Sequence, residues 1–112
     1  MNSITNIDNF YFIGIGGIGM SALARYFNLE GKKVFGYDKT PSEITSTLIE
    51  EGIAIQFKDE VSLIPKLIQS NKKTLIVCTP AISKNNTIIS WLNAKEYRVV
   101  KRSELLGEIS KN

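Results

Sequence analysis

Phe10-Tyr11-Phe12-Ile13-Gly14-Ile15-Gly16-Gly17-Ile18-Gly19-Met20-Ser21-Ala22-Leu23-Ala24 is the stretch whose reading decides the fold. It reads as a buried strand, a glycine-rich turn and a helix start. Phe10 to Ile13 is aromatic and β-branched with no charge, as a parallel strand covered on both faces requires. Gly14, Gly16 and Gly19 then fall as G-x-G-x-x-G. Such glycines provide a tight turn, a bare backbone that phosphate oxygens can approach, and close packing of helix on strand. From Ile18 onward the residues favour a helix, whose free N–H groups and positive dipole end face the turn. The expectation is a diphosphate-sized anion site. A strand-to-helix turn without a ligand is the alternative, although three glycines weaken a fold unless close approach is needed.

The rest of the composition narrows the function classes. At 112 residues the chain is expected to form one domain, 1–112, around a single core. Hydrophobic residues at 43% and charged residues at 22% are ordinary for a soluble globule. The formal charge of +3 comes from scattered lysines, which suits a solvated surface better than a nucleic-acid stripe. No apolar run is long enough to span a membrane, and Met1–Asn6 lacks a secretory pattern. The lone Cys78 allows no internal disulfide and fits a reducing cytoplasm. With no histidine, no Ser-His or Cys-His nucleophile pair and no histidine-ligated metal are available.

Working outward along the chain, strand and helix alternate five times. Strands are expected at Phe10–Ile13, Lys33–Asp38, Ile53–Gln56, Thr74–Cys78 and Tyr97–Lys101. Helices are expected at Ile18–Glu30 with Gly31 as its stop, at Glu43–Glu51 behind a Ser42 cap, and at Asn86–Lys95. Shorter helical pieces are expected over Asp59–Leu63 and from Pro65 to Ser70, and a last helix over Glu104–Ile109 with Ser103 as its cap. Met20, Leu23, Tyr26 and Phe27 are expected to lay the first helix on the sheet, and Trp91 to pack its own helix there. The alternation implies an α/β fold, a Rossmann-like three-layer domain with a five-stranded, mainly parallel sheet. The loops after Ile13, Asp38, Cys78 and Lys101 then meet around one crevice at the carboxyl ends of the strands.

Several side chains at that crevice have binding chemistry. Asp38 ends the second strand about 20 residues past the glycine turn, where an acid bonds ribose hydroxyls; a turn-forming Asp is the other reading. Lys39 offers charge to a phosphate or is merely solvated. Thr79 points a hydroxyl into the crevice or shapes the turn before Pro80. Ser21 bonds a phosphate oxygen or the preceding backbone. Arg102 forks around an anion or is simply exposed. Cys78 reads as core filler. No G-x-x-x-x-G-K-[ST] occurs, so no ATP-type P-loop is present, and no acid–base pair flanks a nucleophile. Catalytic residues and metal ligands are therefore not expected in this chain.

Phe12 to Ala24 resembles the opening of the Mur ligase family of peptidoglycan synthesis, and its alanine-adding branch in particular. Gly36-Tyr37-Asp38, Thr79-Pro80-Ala81-Ile82 and Lys101-Arg102-Ser103-Glu104-Leu105-Leu106 agree in order and spacing. The resemblance implies the first of three domains, which holds the UDP part of UDP-N-acetylmuramate. It also implies that ATP and Mg²⁺ bind a central domain and the amino acid a C-terminal one, to make an amide with L-alanine. Carried onto this chain, the amides of Gly16, Gly17, Ile18, Gly19 and Met20 would face the diphosphate, with Ser21 beside them. Asp38 would approach the ribose, Thr79, Pro80, Ala81 and Ile82 would line the nucleotide, and Arg102 would join them. Tyr11, Tyr37 and Lys84-Asn85-Asn86 depart from the family's commonest pattern, which bears on the finer uridine contacts. The competing readings are an NAD(P)-binding Rossmann module, which Gly14, Gly16, Gly19 and Asp38 fit equally well, and a nucleotide-sensing module without chemistry.

Overall fold

A computed structural model describes residues 4–70, 73–80 and 85–110. Among these, five strands form one sheet: β1 (Asn9–Ile13), β2 (Lys33–Tyr37), β3 (Ala54–Gln56), β4 (Thr74–Cys78) and β5 (Arg98–Lys101). The order is β3-β2-β1-β4-β5, and every neighbouring pair is parallel rather than mainly so. The helices are α1 (Ile18–Leu29), α2 (Glu43–Glu50), α3 (Lys66–Ser70), α4 (Thr87–Ala94) and α5 (Arg102–Ser110), with 3₁₀ turns at Ile4–Asn6 and Val61–Leu63.

β1 is the centre of the sheet, and its side chains alternate between two cores. Phe10 and Phe12 join Met20, Leu23 and Phe27 of α1, Leu48 of α2 and Leu105 of α5. Tyr11 and Ile13 join Ile64, Ile68, Ile88 and Leu92 on the opposite face. All five residues of β1 are buried, which explains why its sequence is apolar without alternation. Phe10 stacks on Phe27 with ring centroids 4.0 Å apart and fixes α1 across the strand. Each such fully buried side chain contributes about 1.5–3 kcal/mol.

The helix limits follow from local chemistry. Ser42 accepts a hydrogen bond from the Thr45 amide, and the Thr45 hydroxyl accepts one from the Ser42 amide, so α2 opens with a reciprocal box. Asn86 caps α4 by accepting from the Ile89 amide at 2.8 Å. Gly31 and Gly52 follow α1 and α2 with φ +88 and +97.

Two sequence expectations are corrected here. α5 starts at Arg102, so Ser103 lies inside the helix and not at its cap. The Glu104 carboxylate instead reaches back to accept from the Lys101 amide at 2.8 Å, and β5 runs straight into the helix. On α1, Met20, Leu23 and Phe27 face the core, but Tyr26 is turned outward with Ile18, Ala22 and Leu29. These four fall on one side of a 3.6-residue period, opposite Leu23 and Phe27. Trp91 is partly buried against the second core and lies 5.9 Å from the Tyr97 ring.

Phe10→Ala should lower stability by about 3–5 kcal/mol, whereas Leu29→Ala should stay within about 0.5 kcal/mol of the parent. Urea unfolding monitored by circular dichroism checks both.

Candidate functional site

The sheet order places β1 beside β4 at the point where the chain switches direction, and the loops after both strands meet there. β1 leaves the sheet through Gly14, whose φ of +88° is a region that L side chains avoid. Space forbids a side chain as well: a Cβ on Gly14 would lie 2.6 Å from Thr79 Cγ2. The Tyr37 carbonyl accepts from the Gly14 amide at 2.8 Å and the Ile15 amide at 3.1 Å, so the turn hangs from the end of β2. The Thr79 amide donates to the Ile13 carbonyl at 3.2 Å, which ties in the end of β4. Ile15 is fully buried and folds back over Gly36, where a Cβ would lie 2.5 Å from Ile15 Cδ1. Gly36 is a structural glycine that the fingerprint does not include.

The turn delivers the chain into α1 with its first amides bare. Gly17 is the N-cap and makes no side-chain cap. Within α1 the Ser21 amide is the first to bond backward, to the Gly17 carbonyl at 2.8 Å. The amides of Ile18, Gly19 and Met20 have no acceptor among the described residues. These N–H groups and the helix dipole together favour a negative group at this point. Arg102, at the start of α5, lies across the same turn: a Cβ on Gly19 would be 2.7 Å from its Cζ. Gly19 thus leaves room for the guanidinium, a spatial reason for the third glycine that spacing alone did not supply.

Asp38 shows the turn-forming one of its two readings. Its Oδ2 accepts from the Gly16 amide at 2.8 Å, and its Oδ1 accepts from the Thr40 amide at 3.0 Å. The carboxylate therefore latches the glycine turn to the β2–α2 loop while standing at the crevice. Gly16 leaves no space for more, since a Cβ there would lie 2.7 Å from Asp38 Oδ2 and 3.1 Å from Thr45 Cγ2.

The remaining candidates divide. The Ser21 hydroxyl is buried and donates to the Ile18 carbonyl at 2.9 Å, the backbone reading of that residue. The Met20 side chain sits in the core, so only its amide faces the turn, while the Ile18 side chain is 83% exposed at the crevice mouth. The expectation of free amides at Gly16 and Gly17 is corrected: Gly17 is exposed, but its amide donates to the Gly14 carbonyl at 3.1 Å, and the Gly16 amide is taken by Asp38. Thr79 packs on Gly14, Pro80 and Lys39 are exposed, and Ala81, Ile82 and Lys84 lie outside the described residues. Cys78 is half-buried against the second core, and burial raises its pKa, which favours the thiol. Among the described residues, no group of three His, Cys, Asp or Glu side chains could hold a metal ion.

Sequence reasoning missed Asp59. It reads as the start of a short helix, yet its carboxylate accepts from the Thr87 amide at 2.7 Å and the Ile88 amide at 2.9 Å. It thus caps α4 from the loop that follows β3. The loop carrying it is fixed by Gln56, which donates to the Lys58 and Glu60 carbonyls and accepts from the buried Tyr11 hydroxyl at 2.7 Å. Burial drives the Tyr11 phenol far above its ordinary pKa and keeps it protonated as that donor. The partners of Asp59 are remote in sequence, so no local signal announces them.

Comparison with known proteins follows the same lines. The model of the Mur ligase family, catalytic domain, matches residues 9–112. The UDP-N-acetylmuramate–L-alanine ligase of Flavobacterium psychrophilum is 54% identical over 110 residues, which are 98% of this chain and 24% of that protein. The ligase of the same description from Parabacteroides distasonis is 47% identical over 112 residues, which are 100% of this chain and 24% of that protein. The chain thus spans about a quarter of the length of the curated relatives it matches. The crystal structure of the UDP-N-acetylmuramate–alanine ligase of Thermotoga maritima superposes with a TM-score of 0.81 at 27% identity, covering 92% of this chain and 23% of that one. A murein peptide ligase from Psychrobacter arcticus, with a TM-score of 0.75 at 21% identity over 89% of this chain and 20% of that one, shares the fold.

Gly14→Ala should destabilise the protein by at least about 1–2 kcal/mol, because the left-handed corner is strained before Thr79 is met. Gly17→Ala has φ −67° and no neighbour closer than 3.5 Å to the new Cβ, so it should unfold within a few degrees of the parent. Thermal melts of the two variants check the contrast.

Proposed function

Because the chain belongs to the Mur ligase family, we propose that it is the sugar-nucleotide-binding part of a UDP-N-acetylmuramate–L-alanine ligase and grips the UDP end of that substrate. The observation that carries this reading is the set of bare amides at Ile18, Gly19 and Met20 under the Arg102 guanidinium. A diphosphate needs several donors converging on few oxygens, and rigid backbone amides provide them without loss of side-chain entropy. Asp38, held by the Gly16 and Thr40 amides, keeps carboxylate lone pairs for ribose hydroxyls. Thr79 and Pro80 extend the nucleotide wall.

In this reading the domain itself holds neither ATP nor Mg²⁺. The glycine turn runs into Met20-Ser21 without the lysine of an ATP P-loop, and no carboxylate group among the described residues forms a metal site. Activation of the sugar's carboxylate by ATP and capture of the amino acid belong, in this reading, to the central and C-terminal domains of the longer protein. Domain 1–112 binds and orients one end of the substrate, in the cytoplasm where sugar nucleotides are made. No described helix is long and apolar enough to cross a membrane. The dinucleotide reading shares the glycines and Asp38, but the relatives that cover this chain almost entirely are amide ligases.

UDP and UDP-N-acetylmuramate should raise the melting temperature and NAD⁺ should not; at ~100 Kd the stabilisation is about 2.7 kcal/mol. Arg102→Ala should leave the fold intact, since the residue is exposed, and weaken UDP binding about 10-fold or more through loss of a charge-assisted contact. A melt raised by NAD⁺ and untouched by UDP would overturn the assignment.

A further inference from the structure

Tyr37 ends β2, opposite Ile13 of β1 and Gln56 of β3. Its carbonyl carries the Gly14 and Ile15 amides, so the residue is fixed to the glycine turn by two hydrogen bonds. Its ring belongs to the second core, and the side chain is only 5% exposed. Yet the hydroxyl has no hydrogen-bond partner among the described residues. The other buried tyrosine of this face behaves differently, as the Tyr11 hydroxyl donates to Gln56. No buried side-chain oxygen or nitrogen lacks a partner among the described residues, so the unpartnered Tyr37 hydroxyl must be the end of the ring that reaches the surface. A phenol buried along its ring and open only at its hydroxyl holds a polar atom ready for a ligand.

The charges around it say which part of a ligand. Asp38 and Asp59 are the carboxylates whose fields reach the phenol, and with burial they raise its pKa. The hydroxyl stays neutral and able to donate, and the acidic neighbours repel phosphate. Asp38 lies between this phenol and the glycine turn, with its Oδ2 on the Gly16 amide, while Arg102 stands over Gly19. We propose that the Tyr37 hydroxyl hydrogen-bonds the nucleoside half of the sugar nucleotide, a contact set by the strand end that also holds the glycine turn. This inference rests on the proposed sugar-nucleotide site and adds a residue to it that determines recognition of the nucleoside.

The test is isothermal titration of the wild-type protein and Tyr37→Phe with two probes, UDP and inorganic pyrophosphate. Removal of one neutral hydrogen bond should weaken UDP about 3- to 10-fold. Pyrophosphate binding and the melting temperature of the free protein should be unchanged, because the hydroxyl has no protein partner to lose. Equal UDP affinity in the two proteins overturns the Tyr37 contact and leaves the sugar-nucleotide site standing. A lowered melting temperature in Tyr37→Phe, or equal weakening of both probes, shows a structural role and overturns it as well. If wild-type protein binds neither probe, the site itself is refuted and the contact with it.

Discussion

The Tyr37 carbonyl, accepting from both the Gly14 and Ile15 amides, is the joint on which the rest of the structure depends. It stops β1 from continuing, turns the backbone into a left-handed corner at Gly14 and aims the next residues over the carboxyl edge of the sheet. Everything functional is measured from that corner. Thr79 is pressed against it, Asp38 latches its second glycine, and α1 starts four residues later. Because β1 is central and buried on both faces, the corner cannot drift without disturbing both cores.

The glycines of the turn are therefore not equivalent. Gly14 answers a backbone angle, Gly16 makes way for Asp38 and Thr45, and Gly19 makes way for Arg102. Gly17 alone has room for a side chain, although its amide is held by the Gly14 carbonyl, and it caps α1 without spending a side chain on the amides beyond it. A helix of twelve residues with an uncapped start is weaker than one with a Ser or Asp there, by roughly 1 kcal/mol. The nearby α2 and α4 both have side-chain caps, so the omission at α1 is local and falls where an anion would replace the cap.

Much of this was legible in the residues themselves. The limits of β4 and the starts of α1 and α2 follow from apolar runs, glycines and capping chemistry, all of which act over a few neighbours. The glycine turn after β1 was legible for the same reason. What escaped depends on contacts between distant segments. The start of α5 was misplaced because the Glu104 carboxylate, not Ser103, satisfies the backbone there. The outward turn of Tyr26 follows from which side of α1 meets the sheet, which its apolar composition disguised. The capping role of Asp59 and the open hydroxyl of Tyr37 exist only once β2, β3 and α4 are side by side.

The strand ends thus bring together two kinds of group, bare amides under a guanidinium at the start of α1 and, beside the glycine turn, carboxylates with a neutral phenol. A ligand that spans both should be anionic at one end and rich in hydroxyl and carbonyl groups at the other, as a uridine diphosphate sugar is. The central claim concerns the first kind. It is tested most directly by titrating UDP into ¹⁵N-labelled protein and following the backbone amides by NMR. The account predicts that the resonances of Ile18, Gly19 and Met20 move most. Shifts centred instead on the hollow between β5 and α5 near Leu75, Arg98 and Glu108, with those three amides unmoved, would contradict it.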